Sequence, residues 1–339
     1  MNRENQLALP PAPNLIGAIR SGFDATTNHM LLILFPIILD LFLWVGPRLR
    51  LTELINSLSN QLFMVYTLQD SEMSELIGPL QEIWSAIAEQ FNLLAVLRTY
   101  PVGITSLLVS QLPVKSPLGF PASWEINSFG GAFIAFVLIT VLGILLGTLY
   151  FKVVAQAAVA GEVNWRQALE EWPWTSLQML FLALLWAVFL LFITIPGSFL
   201  LSLVVLSGVT FGQCAIFLYA GLVFWLILPI VFSPHGIVLN RNSFFTSIKV
   251  STKLMRKTLP TSVLFILTVF LLSKGLDILW LVPTDASWLL LIGILGHAFI
   301  TTGLLASSFV YYRDALRWMQ DMVKIGNVTT VKKLENPKH

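Results

Sequence analysis

The chain has 339 residues, of which 56% are hydrophobic and only 11% are charged, and its mean hydropathy is +0.80. Soluble domains carry roughly a quarter charged residues, so this composition excludes a soluble globular protein and indicates an all-α, multi-pass membrane protein. The net charge of +2 gives no reason to expect nucleic acid as a partner, and the single cysteine, Cys214, excludes an intrachain disulfide.

Six apolar runs are long enough to cross the hydrocarbon layer, which takes about 20 helical residues. They are residues 30–48, 130–154, 177–200, 211–233, 260–282 and 288–312. The first run follows a long polar stretch and lacks a small-residue cleavage site, so we interpret it as a retained span and not a signal peptide. Pro196 and Gly197 predict a kink or an end of the third run, with a short outer helix over 198–207.

The distribution of lysine and arginine predicts the orientation. If the N-terminus is cytoplasmic, fifteen basic residues lie in inner segments and four in outer segments, and Lys274 lies within the fifth run. The positive-inside rule therefore predicts a protein of the plasma (inner) membrane with both termini in the cytoplasm.

The segments before the first, third and fifth runs are alike. NLIGAIRSGFDATTN (14–28), NWRQALEEWPWTS (164–176) and SFFTSIKVSTKLMRKT (243–258) each open on a residue type that caps helices and place a small residue four positions later. Their apolar residues recur at helical spacing, which predicts three short amphipathic elbow helices in the inner interface. The predicted architecture is three units, each an elbow helix followed by a two-span hairpin.

The chain divides into four predicted segments: 1–48 with the first elbow and span, an outer insert over 49–128, spans 2–6 over 129–312, and a basic tail over 313–339. The sequence of the insert predicts two helices, followed by a Pro/Gly-rich loop that returns to the membrane. An apolar stripe on the second helix predicts packing on the sister helix, on lipid or on a partner, of which we expect one of the first two. The stripe consists of Met73, Leu76, Leu80, Trp84, Ile87, Phe91 and Leu94.

Four Asp, Lys or His residues fall within the predicted spans and away from their ends: Asp40, Lys274, Asp277 and His297. A charge at mid-depth costs roughly 2.5–3.5 kcal/mol, so such residues normally face the bundle interior and pair with one another. Lys274 is the expected partner of Asp40 because their depths differ by only about 6 Å, and His297 is the next candidate. We interpret the set as a structural pairing that fixes helix register. The alternative is a path for protons or a substrate.

Two further groups point to contacts and not to chemistry. Gly143 and Gly147 form a GxxxG pattern, which predicts close packing of another helix. The inner basic group of Lys249, Lys253, Arg256 and Lys257 is a candidate site for anionic lipid headgroups. The sequence contains no phosphate-binding loop, metal-ligand cluster or nucleophile motif, so we expect neither a cofactor nor a metal.

The segment PHGIVLNRNSFFTSIKVSTKLMRKTLPTSVLFILTVF (234–270) resembles the pattern of the glycerophosphoryl diester phosphodiesterase membrane domain and of YciC-like integral membrane proteins. In that pattern an amphipathic helix leads into a span after a basic turn. The matching positions are Ser247, Lys249, Ser251, Lys253 and Arg256. The resemblance implies a membrane module. The phosphodiesterase activity of the named family belongs to a separate soluble domain and is not implied for this chain.

These observations favour a non-enzymatic scaffold, accessory subunit or lipid-contacting module. Its expected partners are membrane lipids, and other membrane proteins through 49–128 or the GxxxG face. The alternatives are a carrier or permease for a small or lipidic solute, which would use Asp40 with Lys274 or His297, and an intramembrane lipid enzyme. A closed bundle around Asp40 favours the first reading, and a cavity that reaches Asp40 favours the others.

Overall fold

The structure is a computed structural model, and it describes residues 12–67, 74–111, 113, 115–205 and 209–335. This part of the chain is predominantly helical and has almost no strand, which confirms the all-α class. Its α-helices are α1 (Leu15–Asn28), α2 (Leu34–Val45), α3 (Thr52–Thr67), α4 (Ser74–Gln90), α5 (Phe129–Ala160), α6 (Trp165–Val205), α7 (Val209–Ile227), α8 (Ser233–Asn240), α9 (Phe244–Trp280) and α10 (Leu290–Glu335). Two short strands, β1 (Arg48–Arg50) and β2 (Ser123–Glu125), pair in parallel.

The long helices confirm a multi-pass membrane protein. Five are long and apolar enough to cross a membrane, namely α5, α6, α7 with its continuation to Asn240, α9 and α10. A sixth candidate is α1 together with Met30–Val45, a pair bent by 94°. The α10 span is 61% buried, whereas the other four are 11% to 28% buried, so α10 has the least surface left for lipid.

The first apolar run forms a shorter helix than predicted. It begins with a 3₁₀ turn over Met30–Ile33, and α2 ends at Val45 instead of residue 48. Pro36 has no N–H to donate to the carbonyl of Leu32, which explains the non-α start. Gly46 and Pro47 follow the last helical residue, as is common after helix ends.

The predicted end of the third span at Pro196 is wrong, because α6 runs on through most of the predicted outer helix 198–207. Pro196 removes one helical hydrogen bond, yet its neighbour Gly197 lets α7 approach closely. A Cβ at Gly197 would lie 2.3 Å from the Tyr219 ring. The Tyr219 hydroxyl also donates to the Ile193 carbonyl at 3.4 Å, so close packing supports the helix across the proline.

The three elbow segments share a capped start, as the sequence predicted. In each, the cap side chain accepts a hydrogen bond from the backbone N–H three residues later, at 3.1 Å for Asn14, 3.0 Å for Asn164 and 3.4 Å for Ser243. The small residue four positions after each cap is completely or almost completely buried. These residues are Ala18, Ala168 and Ser247. The repeat therefore places equivalent residues in equivalent environments.

Only the first elbow is a separate helix, which corrects the predicted boundaries of the other two. The second elbow, 164–176, is the beginning of α6, and Pro173 lies inside that helix. The third, 243–258, is continuous with α9 but ends in a kink at Thr258, where φ is −116° and ψ is 22°. Pro260 lies two residues later and cannot donate a helical hydrogen bond, which explains the kink.

The chain divides into two compact units, and the division falls within α5, α9 and α10. The first unit comprises the described parts of Met1–His29, Phe151–Leu272 and Gly303–His339. It contains all three elbow segments and a core that includes Ala18, Phe232, Leu254, Phe265, Tyr311 and Tyr312. The second comprises the described parts of Met30–Tyr150 and Ser273–Thr302. Its core includes Trp44, Leu107, Leu108, Leu290 and Ile294.

The insert lies in the second unit, where α3 and α4 pack against each other. The predicted apolar stripe is only partly covered, because Leu80, Trp84 and Ile87 remain 43% to 45% exposed. Met73 and the side chain of Leu76 lie outside the described residues, as do Arg3 and the last four residues of the predicted basic tail. The rest of that tail continues α10 as far as Glu335.

Candidate functional site

The carboxylate of Asp40, on α2, is completely buried and binds a loop, not a lysine. It accepts hydrogen bonds from Ser106 Oγ at 2.5 Å, from Leu107 N at 3.1 Å and from Leu108 N at 3.2 Å. A 3₁₀ turn over Leu108–Ser110 follows directly. A carboxylate that accepts from N–H groups at the start of a helical turn acts as a cap. The predicted pairing of Asp40 with Lys274 is therefore wrong.

Lys274 instead belongs to a second polar group. Its Nζ donates to Asp277 Oδ2 at 2.9 Å, and Asp277 Oδ1 lies 2.8 Å from His297 Nδ1. The His297 side chain is 4% exposed, whereas that of Lys274 is 46% exposed. Lys274 and His297, the two residues predicted as partners of Asp40, therefore both pair with Asp277. The i,i+3 spacing of Lys274 and Asp277 in the sequence favours their pairing.

Gly143 and Gly147, the two glycines of the GxxxG pattern, contact the segment 97–111 that also binds Asp40. They do not pack against another helix as predicted. A Cβ at Gly143 would lie 2.6 Å from the Leu97 carbonyl oxygen, and a Cβ at Gly147 would lie 2.7 Å from Gly103 Cα. Gly147 is roughly 27 Å along α5 from Phe129, at 1.5 Å per residue. The segment 97–111 therefore follows α5 well past the middle of a bilayer-spanning length.

The same segment also contacts α10, through a hydrogen bond of 2.8 Å between Thr105 Oγ1 and Thr301 Oγ1. Non-helical backbone at membrane depth is tolerated only where protein or a water-filled cavity surrounds it, because lipid offers no hydrogen bonds. Asp40 supplies acceptors to two of its N–H groups. Asp40, Gly143 and Gly147 therefore have one structural purpose, which is to hold the segment 97–111 (the inserted loop) inside the second unit.

Sequence reasoning missed Ser106, although its hydroxyl makes the shortest contact to Asp40. Ser106 Oγ also accepts from Val109 N at 3.2 Å, as a serine does at the start of a helical turn. A capping serine just before the apolar turn was thus the available signal. What the sequence lacked was any indication that this turn lies beside Asp40.

The candidate headgroup residues form one exposed face of α9. We call Lys249, Lys253, Arg256 and Lys257 the basic face. With Ile248 and Thr252 they line a cavity of about 410 Å³. All four side chains are exposed, and none forms an ion pair with an acidic residue in the described part of the chain.

The opposite face of the same helical segment is buried. Ser247 Oγ donates to the Ser233 carbonyl at 2.6 Å, and Ser251 Oγ donates to the Pro229 carbonyl at 2.8 Å. Ser251 Oγ also accepts from Phe232 N at 3.2 Å. The two serines thus satisfy backbone groups where α7 gives way to α8, and they fix the rotation of α9 so that its lysines and arginine point outward.

Among the described residues, no cluster of three His, Cys, Asp or Glu side chains is arranged to hold a metal ion. Comparison with known proteins returned no match of any kind: no family model matches the sequence, no curated protein matches it, and no solved structure matches the fold.

Proposed function

We propose that this chain is a non-enzymatic, lipid-contacting membrane protein whose basic face on α9 holds the headgroups of anionic lipids. One observation carries the proposal: four exposed cations line a single cavity of about 410 Å³. No described carboxylate neutralises them. Lys and Arg donors in such an arrangement match the phosphate oxygens of a headgroup.

The position of the basic face supports the same assignment. It lies on an amphipathic segment whose other side is fixed by Ser247, Ser251 and the fully buried Leu254. The kink at Thr258 then separates this segment from the apolar part of α9. Amphipathic helices of this kind lie at the membrane interface, where each basic residue gains about 1 kcal/mol from anionic lipid. The resemblance of 234–270 to membrane modules without an active site is in keeping with this role.

The environment of Asp40 supports this choice over a carrier. A carrier that used Asp40 with Lys274 or His297 would need a path to the carboxylate. Asp40 is fully buried, and its oxygens already accept three hydrogen bonds from the inserted loop. Its charge therefore has a structural explanation.

The proposal is tested by lipid titration of the purified protein, read by native mass spectrometry. The wild type should bind phosphatidylglycerol more tightly than phosphatidylcholine. Replacing all four residues of the basic face by glutamine should weaken phosphatidylglycerol binding by up to about a thousandfold, because it removes four contributions of roughly 1 kcal/mol each and about 1.4 kcal/mol corresponds to a factor of ten.

A matched control removes the same charge elsewhere. Four exposed basic residues outside the basic face are replaced by glutamine together: Arg20, Arg166, Arg317 and Lys324. This variant should keep the preference for phosphatidylglycerol. Equal losses in both quadruple variants would mean that overall charge and not the basic face attracts the lipid, and the proposal would be wrong. A wild type without any preference would refute it as well.

A further inference from the structure

A second cavity, of about 330 Å³, lies in the first unit at the ends of three helices. Its walls come from the last two and a half turns of α5, the first two turns of α6 and the end of α8. The lining residues are Lys152, Ala155, Gln156, Val159, Ala160, Gln167, Glu171, Val238, Leu239 and Arg241. Small-molecule sites in proteins start at about this volume, and they combine apolar walls with a few placed polar groups.

The polar groups of this cavity carry one positive charge in excess. Lys152 is 4% exposed, and its Nζ donates to the carboxylate of Glu171. Arg241 Nη1 lies 3.9 Å from Glu171 Oε1, a loose ion pair, and the Arg241 side chain is 58% exposed. One carboxylate therefore stands between two cations. Lysine has three donors and arginine has five, so donor capacity remains for an incoming anion.

Arg241 occupies an unusual backbone position. It follows the last residue of α8 with φ at 50° and ψ at 31°, in the left-handed region. Glycine or asparagine usually fills this position after a helix, since other residues adopt it at a cost in free energy. The backbone gives no reason for an arginine here. The guanidinium of Arg241 lines a charged cavity, and this gives a reason for an arginine at this position.

We propose that this cavity binds a phosphate ester with one net negative charge, and that Arg241 is its main contact. The planar guanidinium offers paired donors that match two phosphate oxygens. The buried ammonium of Lys152, which lines the same cavity, supplies a second positive charge. Ala155, Val159 and Leu239 form apolar walls for the carbon part of the ester. The ester is either part of a lipid headgroup or a small soluble molecule.

The site is tested by binding measurements on the full-length protein in detergent. Three probes are titrated calorimetrically: glycerophosphoglycerol and dimethyl phosphate, which are soluble phosphodiesters with one negative charge, and phosphatidylglycerol. The measurements use the wild type and the chain whose basic face is replaced by glutamine, so that lipid bound on α9 does not contribute. Binding of a soluble probe identifies a soluble ester, and binding of phosphatidylglycerol alone identifies a headgroup.

The decisive variant is Arg241→Asn, because asparagine tolerates the left-handed backbone while it removes the guanidinium. Affinity should fall by about tenfold or more, the effect of losing a charged hydrogen-bond donor. Arg241→Lys should recover part of that loss. Arg166→Asn is the matched control, because Arg166 is exposed on α6, pairs with Glu170 and lies outside the cavity.

Two results would overturn the proposal. The first is equal affinity in Arg241→Asn and Arg166→Asn, both made in the chain without its basic face, for a probe that binds that chain. The second is the absence of binding by all three probes in the chain without its basic face. Neither result depends on whether the basic face itself binds lipid, so this inference and the proposed function fail separately.

Discussion

The cap formed by Asp40 makes a prediction that separates it from an intramembrane ion pair. Asp40→Leu keeps a side chain of similar bulk but leaves two backbone N–H groups and the Ser106 hydroxyl without an acceptor. Each buried, unpaired group costs roughly 1–3 kcal/mol. With partial relaxation of the inserted loop, we expect a loss of about 4 kcal/mol in the free energy of unfolding. Asp40→Asn keeps one carbonyl oxygen as an acceptor, so it should lose about half as much.

Double-mutant cycles identify the partner of Asp40. Ser106→Ala and Asp40→Asn remove parts of one hydrogen-bonded cap, so their effects should not add, with a coupling of about 1 kcal/mol. Lys274→Met and Asp40→Asn should add within about 0.5 kcal/mol, because Lys274 pairs with Asp277.

Unfolding by sodium dodecyl sulfate in mixed micelles, followed by tryptophan fluorescence, measures all of these free energies. The reverse pattern, with additivity for Ser106 and coupling for Lys274, would refute the cap and restore the ion pair.

Three more predictions follow from the contacts. Gly147→Val should destabilise the protein by about 3 kcal/mol or more in the same assay, because its side chain meets the backbone of Gly103. Gly221→Val, in α7 with nothing within 4 Å of its Cβ, is the control and should cost less than about 1 kcal/mol. Ser251→Ala should cost about 2 kcal/mol, because it leaves a buried carbonyl and a buried N–H at the α7–α8 break without a partner. Burial raises the pKa of Asp285 above its usual 3.8, so its ionisation is less favourable in the folded state and stability is lost as the pH rises through the folded pKa. Asp285→Asn should remove that part of the pH dependence, and an unchanged pH profile would contradict it.

Hydropathy, charge and capping were readable from the sequence because each depends on a residue and its near neighbours. The apolar runs gave the membrane class and the approximate spans. The caps at Asn14, Asn164 and Ser243 follow from the residue type and from a backbone N–H three positions away. Local rules of this kind hold wherever the helix itself forms.

The partners of Asp40 and of the two α5 glycines were not readable. An acidic residue in the middle of a span suggests a basic side chain as its partner, whereas Asp40 binds backbone N–H groups. Every residue except proline carries such a group, so the sequence cannot show which of them binds Asp40. A GxxxG pattern likewise indicates close approach without naming what approaches, and here it is the inserted loop. The helix end predicted at Pro196 is wrong for a related reason, since the contact that supports α6 comes from Tyr219 on another helix.

Photocrosslinking tests the proposed function most directly. A phosphatidylglycerol with a photoreactive headgroup is reconstituted with the protein, and peptide mass spectrometry locates the crosslinks after irradiation. The account predicts that crosslinks concentrate within residues 248–257 and fall sharply when the basic face is replaced by glutamine. Crosslinks that spread evenly over the rest of the chain, with the same yield in both proteins, would contradict it.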